Sequence, residues 1–548
     1  MISALSRPAS RAAALFLVLT VVATYPIATA PASYTYGDHP DAQLTMWIMA
    51  WDAHALGHDP VNLFNANIFH PERRTLAYSE TLLGYLPLFG PILWLGGNPV
   101  LAFNVVLLFS FTASGFAMYL FARHLTGREW PSIVAGVCYG FVPYRFVHVP
   151  QIQLEAMEWI PLAFLCLHRF LERGDRRYAA GLGVCVILEA LCCLYYAIFL
   201  VVGLALYWIV LMPIDARALG WRKVSGLAVT ACATAALLAP LIAAYWRVHN
   251  MRGLERSIEE ITERSADAAS YLASTAPLHL AFGSRFMTYQ RDYLFPGVGA
   301  LVLAGIGLVS ARRTNVIPLA GLALFALAAS FGPPGFLGVP VYNVLYAAIP
   351  IFGGLRQISR FGVLVFFAVS AMAAVGCAAI EGRMPARRRT MWMIGIATLV
   401  FMETFTAPLR YDRPGGVPLT RLAPPPEEYD WLAARQDHRA IVELPFAPKQ
   451  QPWRNAPYVF WSTRHWHPLV NAYSGFAPPS YYRIERILRR FPDDSSRKAL
   501  LARHVGYVII HWQRFRSGDF GVDVGRVHAS QWLQPVAHFT HTDIFEVH

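Results

Sequence analysis

The chain has 548 residues, 55% hydrophobic and only 15% charged, with a net charge of +12 and a mean hydropathy of +0.39. Soluble domains carry about 25% charged residues, so this composition excludes an ordinary soluble protein. Apolar runs near the ~20 residues that cross a bilayer recur along the chain and predict a polytopic α-helical membrane protein.

The basic excess gathers in short loops between those runs. It reads as a positive-inside signal and not as nucleic-acid binding. The seven cysteines all lie in apolar segments and form no CxxC or disulfide framework.

Arg7 and Arg11 precede an apolar run from Ala12 to about Ala30. Ala28-Thr29-Ala30 has the small-residue pattern of a signal-peptidase site, and Pro31 directly after it argues against cleavage. Residue 31 emerges on the outer side either way. The loop 31–80 that follows holds six carboxylates (Asp38, Asp41, Asp52, Asp59, Glu72, Glu80) and four histidines against Arg73 and Arg74. Pro40 suits a first helical position, and Leu44, Trp47, Ile48, Trp51 and Ala55 follow helical spacing. Residues 40–56 are therefore expected as an amphipathic helix along the membrane surface.

The segment 81–97 is apolar but interrupted by Pro87, Pro91 and four glycines, and it reads as interfacial or re-entrant. With that choice the later crossings are 99–122, 131–146, 156–171, 179–195, 196–213, 224–246, 293–311, 315–331, 360–380 and 390–408. Every basic short loop then falls inside: Arg123/Arg128, Arg169/Arg173/Arg176/Arg177, Arg217/Arg222/Lys223, Arg312/Arg313 and Arg383/Arg387/Arg388/Arg389. With the amino-terminal run this gives eleven crossings, the amino end cytoplasmic and the carboxyl end outside.

The tail differs in kind. Pro414 to Pro426, with five prolines, reads as a linker. Ala440–Leu444 and Tyr507–Ile510 read as buried strands, and Glu427–Ala434 and Tyr482–Phe491 as helices. The expected organisation is a membrane domain over 1–410, including the outer loop 31–97, and a small extracytoplasmic α/β domain over 411–548.

The outer side also collects the unusual polar residues. Asp38, just before the expected helix, suits a general base, whereas Asp41 sits where a carboxylate steadies the helix's positive end. Arg145, His148, Gln151, Gln153, Glu155 and Glu158 lie where one crossing ends and the next opens, and ionisable groups there are often functional. Glu189 sits inside an apolar crossing, a turn and a half before Tyr195 and Tyr196. Arg356 and Arg360, four apart, would share a helical face and suit a phosphate. Asp41, Glu80, Tyr195 and Tyr196 complete the expected substrate-binding set. His54, His58 and His70 with Asp59 match no closed metal site, and no metal is expected. Glu381 and Glu403 read as structural.

One crossing, then a large outer loop opening on Gly37-Asp38, then the interrupted segment 81–97, then a crossing ending in Ala122-Arg123-His124-Leu125-Thr126-Gly127-Arg128: this order resembles the GT-C superfamily of membrane glycosyltransferases, in its protein mannosyltransferase and aminoarabinose transferase branch. The α/β tail is similar to that of many members. The resemblance covers the architecture of 1–410. It implies a bacterial inner-membrane enzyme that takes a sugar from a polyprenyl-phosphate donor to a glycan, lipid or protein acceptor, without a cofactor and with Asp38 as base. The chain lacks an Asp-Glu pair at that point and the Trp-Trp-Asp-Tyr-Gly signature of oligosaccharyl transferases, so acceptor and metal use do not carry over. The competing reading is a non-enzymatic transporter or scaffold for lipid-linked glycans. Transporters often show matched broken helices, and 81–97 has no counterpart in the second half.

Overall fold

The computed structural model describes residues 7–36, 39–252, 256–287, 292–310, 313–407, 419–515 and 522–548. Asp38 and the linker residues 414–418 lie outside the described residues.

The chain opens with α1 (Arg7–Ala23), the short strand β1 (Tyr34–Thr35) and α2 (Pro40–His58). The interrupted segment becomes α3 (Leu86–Trp94), nine residues or roughly 13 Å long, which is too short to span. Leu95 just beyond it is 88% exposed, as suits an element at the membrane interface.

The bundle follows. It comprises α4 (Pro99–Thr126), α5 (Glu129–Gly140), the short α6 (Pro143–His148), α7 (Trp159–Arg173), α8 (Arg176–Cys192), α9 (Leu194–Leu211) and α10 (Trp221–Arg252). After α11 (Ile258–Glu263) and α12 (Pro277–Met287) come α13 (Val298–Ser310), α14 (Arg313–Ser330), α15 (Val341–Ala348), α16 (Gly362–Arg383) and α17 (Ala386–Thr404).

Five stretches among the described residues are long and apolar enough to cross a membrane: Pro99–Thr126, Leu194–Leu211, Trp221–Val248, Arg313–Ser330 and Ile358–Arg383. The other six expected crossings are also helical, but shorter or, in α17, opened by three arginines. The expected crossing 131–146 is broken, because Phe141 and Val142 leave the helical path between α5 and α6.

Helix contact is closest between α13 and α16. A Cβ at Gly376 would lie 1.9 Å from the Leu303 carbonyl oxygen, and one at Gly307 would lie 2.3 Å from that of Met372. Only glycine permits this approach, the usual device where helices pack without a hydrophobic drive between them. Two polar contacts tie helix ends: Arg128 to Glu381 at 2.9 Å, and His279 to Glu403 at 2.9 Å.

The tail adds β2 (Thr420–Arg421), α18 (Glu427–Ala433), β3 (Ala440–Leu444), α19 (Ala456–Trp461), α20 (Pro479–Leu488), β4 (Val505–His511), β5 (Leu533–His538) and β6 (Thr542–Val547). The main sheet has the order β3-β4-β6-β5, with β3 and β4 parallel and the rest antiparallel.

This tail does not stand apart from the loop 31–80. β1 pairs antiparallel with β2, and the Leu422 amide donates to the Ser33 carbonyl at 2.8 Å. Leu469 donates to the Asn67 carbonyl at 2.6 Å, and His70 donates to the Leu469 carbonyl at 2.9 Å. The Asn67 amide reaches Ser462, and the Trp47 indole donates to Asn67 at 3.2 Å.

The expectation of a surface helix over 40–56 is therefore corrected. α2 is a helix there, but it is buried on nearly every side, from Ala42 through Ala53. Its second face, polar only in part, is covered by α19 and by Trp466, which stands edge-on to Trp51 with ring centres 5.8 Å apart.

Topology is testable on exposed positions. Val61→Cys, 92% exposed, and Gln450→Cys are expected to react with a membrane-impermeant maleimide in intact cells, and Arg387→Cys only after permeabilisation. Labelling of Arg387→Cys from outside would refute the eleven-crossing arrangement.

Candidate functional site

Several of the residues singled out in the sequence gather around His148, the last residue of α6. Its ring feels the charges of Asp292, Arg360 and Asp41, and its Nε2 lies 3.9 Å from Asp292 Oδ1. Burial holds this imidazole below its ordinary value, with Asp292 pulling the other way. His148 Nδ1 faces the Tyr144 carbonyl at 2.9 Å, which fixes the ring.

Asp41 is placed by two partners from distant parts of the chain. Gln151 Nε2 donates to Oδ2 at 2.7 Å, and the Tyr473 hydroxyl donates to Oδ1 at 2.5 Å. Burial, and then the carboxylate of Asp41, push the Tyr473 phenol up, so it remains a donor. The cap of α2 comes from His39, whose Nδ1 accepts from the Asp41 amide at 3.3 Å. Asp41 is thus more than a helix-steadying acid, because its side chain ties the first loop to the tail.

Arg356 and Arg360 do not share the helical face the spacing suggested. Arg356 precedes a short 3-10 turn over Ile358–Phe361, and an α-helix starts only at Gly362. They meet instead at Tyr195. The Arg356 amide donates to the Tyr195 hydroxyl at 3.1 Å, and the Arg360 guanidinium stands 5.0 Å from the centre of the Tyr195 ring.

Glu80 closes the group, accepting from the Tyr195 amide at 3.3 Å. Burial raises its pKa, and the charge of Arg360 opposes that rise. Arg356 has a loose pairing with Glu260 at 3.9 Å. Arg360 Nε is buried and makes no hydrogen bond, and among the described residues no carboxylate stands at ion-pair distance from it.

The remaining expected residues lie elsewhere. Arg145 and Glu155 form a wholly buried pair at 2.7 Å and are corrected from substrate contacts to framework. Arg145 also donates to the Gly140 carbonyl at 3.0 Å and to Ser110 at 2.8 Å, and it stacks 3.9 Å over Phe111. Glu158 accepts from the Tyr85 hydroxyl at 2.8 Å in the same interior. Tyr196 is buried against Tyr144, with hydroxyls 3.1 Å apart. Gln153 leaves Oε1 buried without a partner. Glu189 is buried beside Glu158 and Glu80, with neither carboxylate oxygen hydrogen-bonded. His70 turns away to the Arg503 carbonyl at 2.9 Å, while His54 stacks on Trp466 with ring centres 4.2 Å apart.

Sequence reasoning missed Asp292, whose Oδ2 accepts from Ser359 at 2.6 Å, and it missed Tyr473. Asp292 had a readable signal as the last acid of the long outer loop before an apolar run. Tyr473 had none, because it lies 432 residues from its partner.

No protein-family model matches the chain, and no curated protein matches it. The fold is similar to the arabinofuranosyltransferase AftD from Mycobacteria solved by electron cryomicroscopy, with a TM-score of 0.65 at 16% identity over 100% of this chain. An AftD mutant gives 0.62 at 16% identity over 99% of it. The chain spans only 40% of the first AftD structure and 42% of the mutant. The oligosaccharyltransferase AglB of Archaeoglobus fulgidus, solved with an inhibitory peptide and a dolichol-phosphate, gives 0.41 at 10% identity over 92% of this chain and 69% of its own. The shared feature is the fold of the whole described chain, which follows that of the AftD structure.

Proposed function

We propose that this protein is an inverting membrane glycosyltransferase that moves a sugar from a polyprenyl-phosphate donor to a glycan, lipid or protein acceptor on the outer face of a bacterial inner membrane. The likeness of fold to an arabinofuranosyltransferase supports the class. The observation that carries the reading is Arg360: a cation at the outer mouth of the bundle, with a buried Nε that makes no hydrogen bond and Arg356 gathered beside it by Tyr195. A planar guanidinium in that state suits a phosphate, which it can grip through two parallel hydrogen bonds.

In this reading the lipid chain stays in the bilayer, and the donor phosphate sits on Arg356 and Arg360. Glu80 holds Tyr195 in place. Asp38 takes the proton from the acceptor hydroxyl, whose oxygen then bonds the anomeric carbon. The bond from that carbon to the phosphate oxygen breaks, and its electron pair leaves with the phosphate, which needs no acid. Asp41, held by Gln151 and Tyr473, fixes the start of α2 beside the reacting groups. The same reading takes eleven crossings, a membrane domain over 1–410 and an extracytoplasmic domain over 411–548.

Losing one charge-assisted contact costs about 1.5–3 kcal/mol, or roughly 10- to 150-fold in affinity. Arg360→Ala and Arg356→Ala are expected to weaken binding of a polyprenyl phosphate to that extent, measured on purified protein by tryptophan quenching or calorimetry. Wild-type affinity in both variants would refute the assignment.

A further inference from the structure

We infer that the acceptor is an acidic glycan, held along a run of arginines that leads from Arg356 through Arg256 to Arg483, Arg486 and Arg490 on the tail. This rests on the transferase reading above and narrows its acceptor from three classes to one.

The run starts at the candidate site. Arg356 feels the charges of Arg256, Arg264 and Arg360. Burial first, and then these three cations against the pull of Tyr195, hold its pKa below the ordinary value. One carboxylate serves two of the four arginines: Glu260 Oε1 lies 3.3 Å from Arg256 and 3.9 Å from Arg356. Arg264 is exposed, and among the described residues no carboxylate stands at ion-pair distance from it. Gathering like charges costs free energy, which a bound anion offsets.

The tail carries the run onward. Arg256 donates to the Gly475 carbonyl at 3.3 Å, two residues past Tyr473, which holds Asp41. α20 opens just beyond, where the Ser480 hydroxyl donates to Glu72 at 2.5 Å. Arg483 and Arg486, three apart on α20, are both exposed and share one face, and exposed Arg490 follows in the turn that ends the helix. Among the described residues no carboxylate stands at ion-pair distance from any of these three. The acids of this stretch are few. Glu485 pairs with Arg489 at 2.7 Å, and Asp493 caps the helix Asp494–Leu501 by accepting from the Ser496 amide at 2.8 Å. That leaves Asp494 as the remaining acid between 479 and 501. Arg503 belongs to the same field, since the charges of Arg483 and Glu72 both act on it.

The shape of the run selects a polymer. α20 alone is about 15 Å long, so one small anion meets one or two of these guanidinium groups. A chain with acidic groups at intervals meets them all while its end reaches Arg356. Guanidinium grips a carboxylate or a phosphate through two parallel hydrogen bonds, so the glycan carries uronate or phosphodiester groups. A phospholipid head group is held in the plane of the bilayer by its acyl chains. α20 is instead mounted on the tail and the first loop, through Tyr481 against Phe446 and Phe69, with ring centres 5.1 and 5.5 Å apart.

The test uses the full chain in detergent, titrated by calorimetry with polygalacturonate oligomers, with dextran oligomers of matched length and with a short-chain phosphatidylglycerol. Binding of polygalacturonate and not of dextran is expected, and it should weaken as salt screens the exposed charges. Arg483→Gln, Arg486→Gln and Arg490→Gln together should lower that affinity on the order of 10- to 100-fold, since exposed charge pairs are individually weak. All three positions are exposed, so the variant keeps its packing. Lysine at the same three positions should restore most of the affinity. Polyprenyl-phosphate binding should be unchanged in the glutamine variant, which separates this test from that of the donor site. If the donor reading fails, Arg360→Ala binds polyprenyl phosphate like wild type while the polygalacturonate results stand. Equal affinity for the two glycans, or wild-type affinity in the glutamine variant, would overturn the acidic-glycan assignment. So would phosphatidylglycerol binding that the glutamine variant loses, with no binding of polygalacturonate, because the surface would then be a membrane contact.

Discussion

Asp38→Asn is expected to yield a folded, normally inserted protein whose sugar-transfer turnover falls roughly 10²–10⁴-fold, the usual worth of general-base help. The substitution keeps size and much of the hydrogen bonding and removes only the basic oxygen. Asp38 follows Tyr36, which is buried to 2% exposure, and precedes His39, which is half-buried beside Asp41. Three positions along the chain, Asp41 is held by Gln151 and Tyr473. Asp41→Asn should cost far less turnover, because the amide still bonds Tyr473 or Gln151. Its loss should show instead as a looser attachment of the tail, read by proteolysis. Single-turnover rates with a panel of polyprenyl-phosphate sugars decide the matter. Turnover within a few-fold of wild type for Asp38→Asn would remove it from the mechanism and make His148 or Glu80 the next group to test.

The largest stability effect belongs to Arg145. Arg145→Ala is expected to destabilise the protein by about 3–5 kcal/mol, because it leaves Glu155 buried without its counter-charge. The pair is fully enclosed, and the guanidinium also serves the Gly140 carbonyl, Ser110 and the Phe111 face. Removing both charges together behaves differently. Arg145→Met combined with Glu155→Gln should recover most of the loss, since a buried ion pair owes much of its apparent strength to the penalty of breaking it. Thermal unfolding followed by gel filtration in detergent measures both. An Arg145→Ala protein as stable as wild type would mean that water reaches the pair.

Hydropathy and basic loops made the bundle legible, because membrane helices must be apolar along their length and their inner loops carry Arg and Lys. The shortness of α3 was legible from Pro87 and Pro91. Burial of α2 was not. Its stripe of Leu44, Trp47 and Trp51 looks the same whether the opposite face meets water or α19, and the covering residues lie hundreds of positions away. The pairing of Arg356 with Arg360 was legible as proximity but not as geometry, since i and i+4 share a face only on a helix, and here the chain turns through a 3-10 segment. Arg145 and Glu155 were rightly read as costly and misread as a site. A sequence shows that a charge is expensive in the bilayer but not whether its partner is the neighbour ten residues on.

The strand pair of β1 with β2, and the cover of α2 by α19, also set a timetable. α2 is made early, yet the residues that close over Trp47 and Trp51 begin near Ala456, some 400 positions later. At the ordinary rate of synthesis of about 5–20 residues per second, that interval is on the order of 20 to 80 s. For that time the loop 31–80 waits with an unpaired edge at Tyr34–Thr35 and two tryptophans short of their cover. It is therefore the segment most open to proteases and most dependent on chaperones while the rest of the molecule is being made.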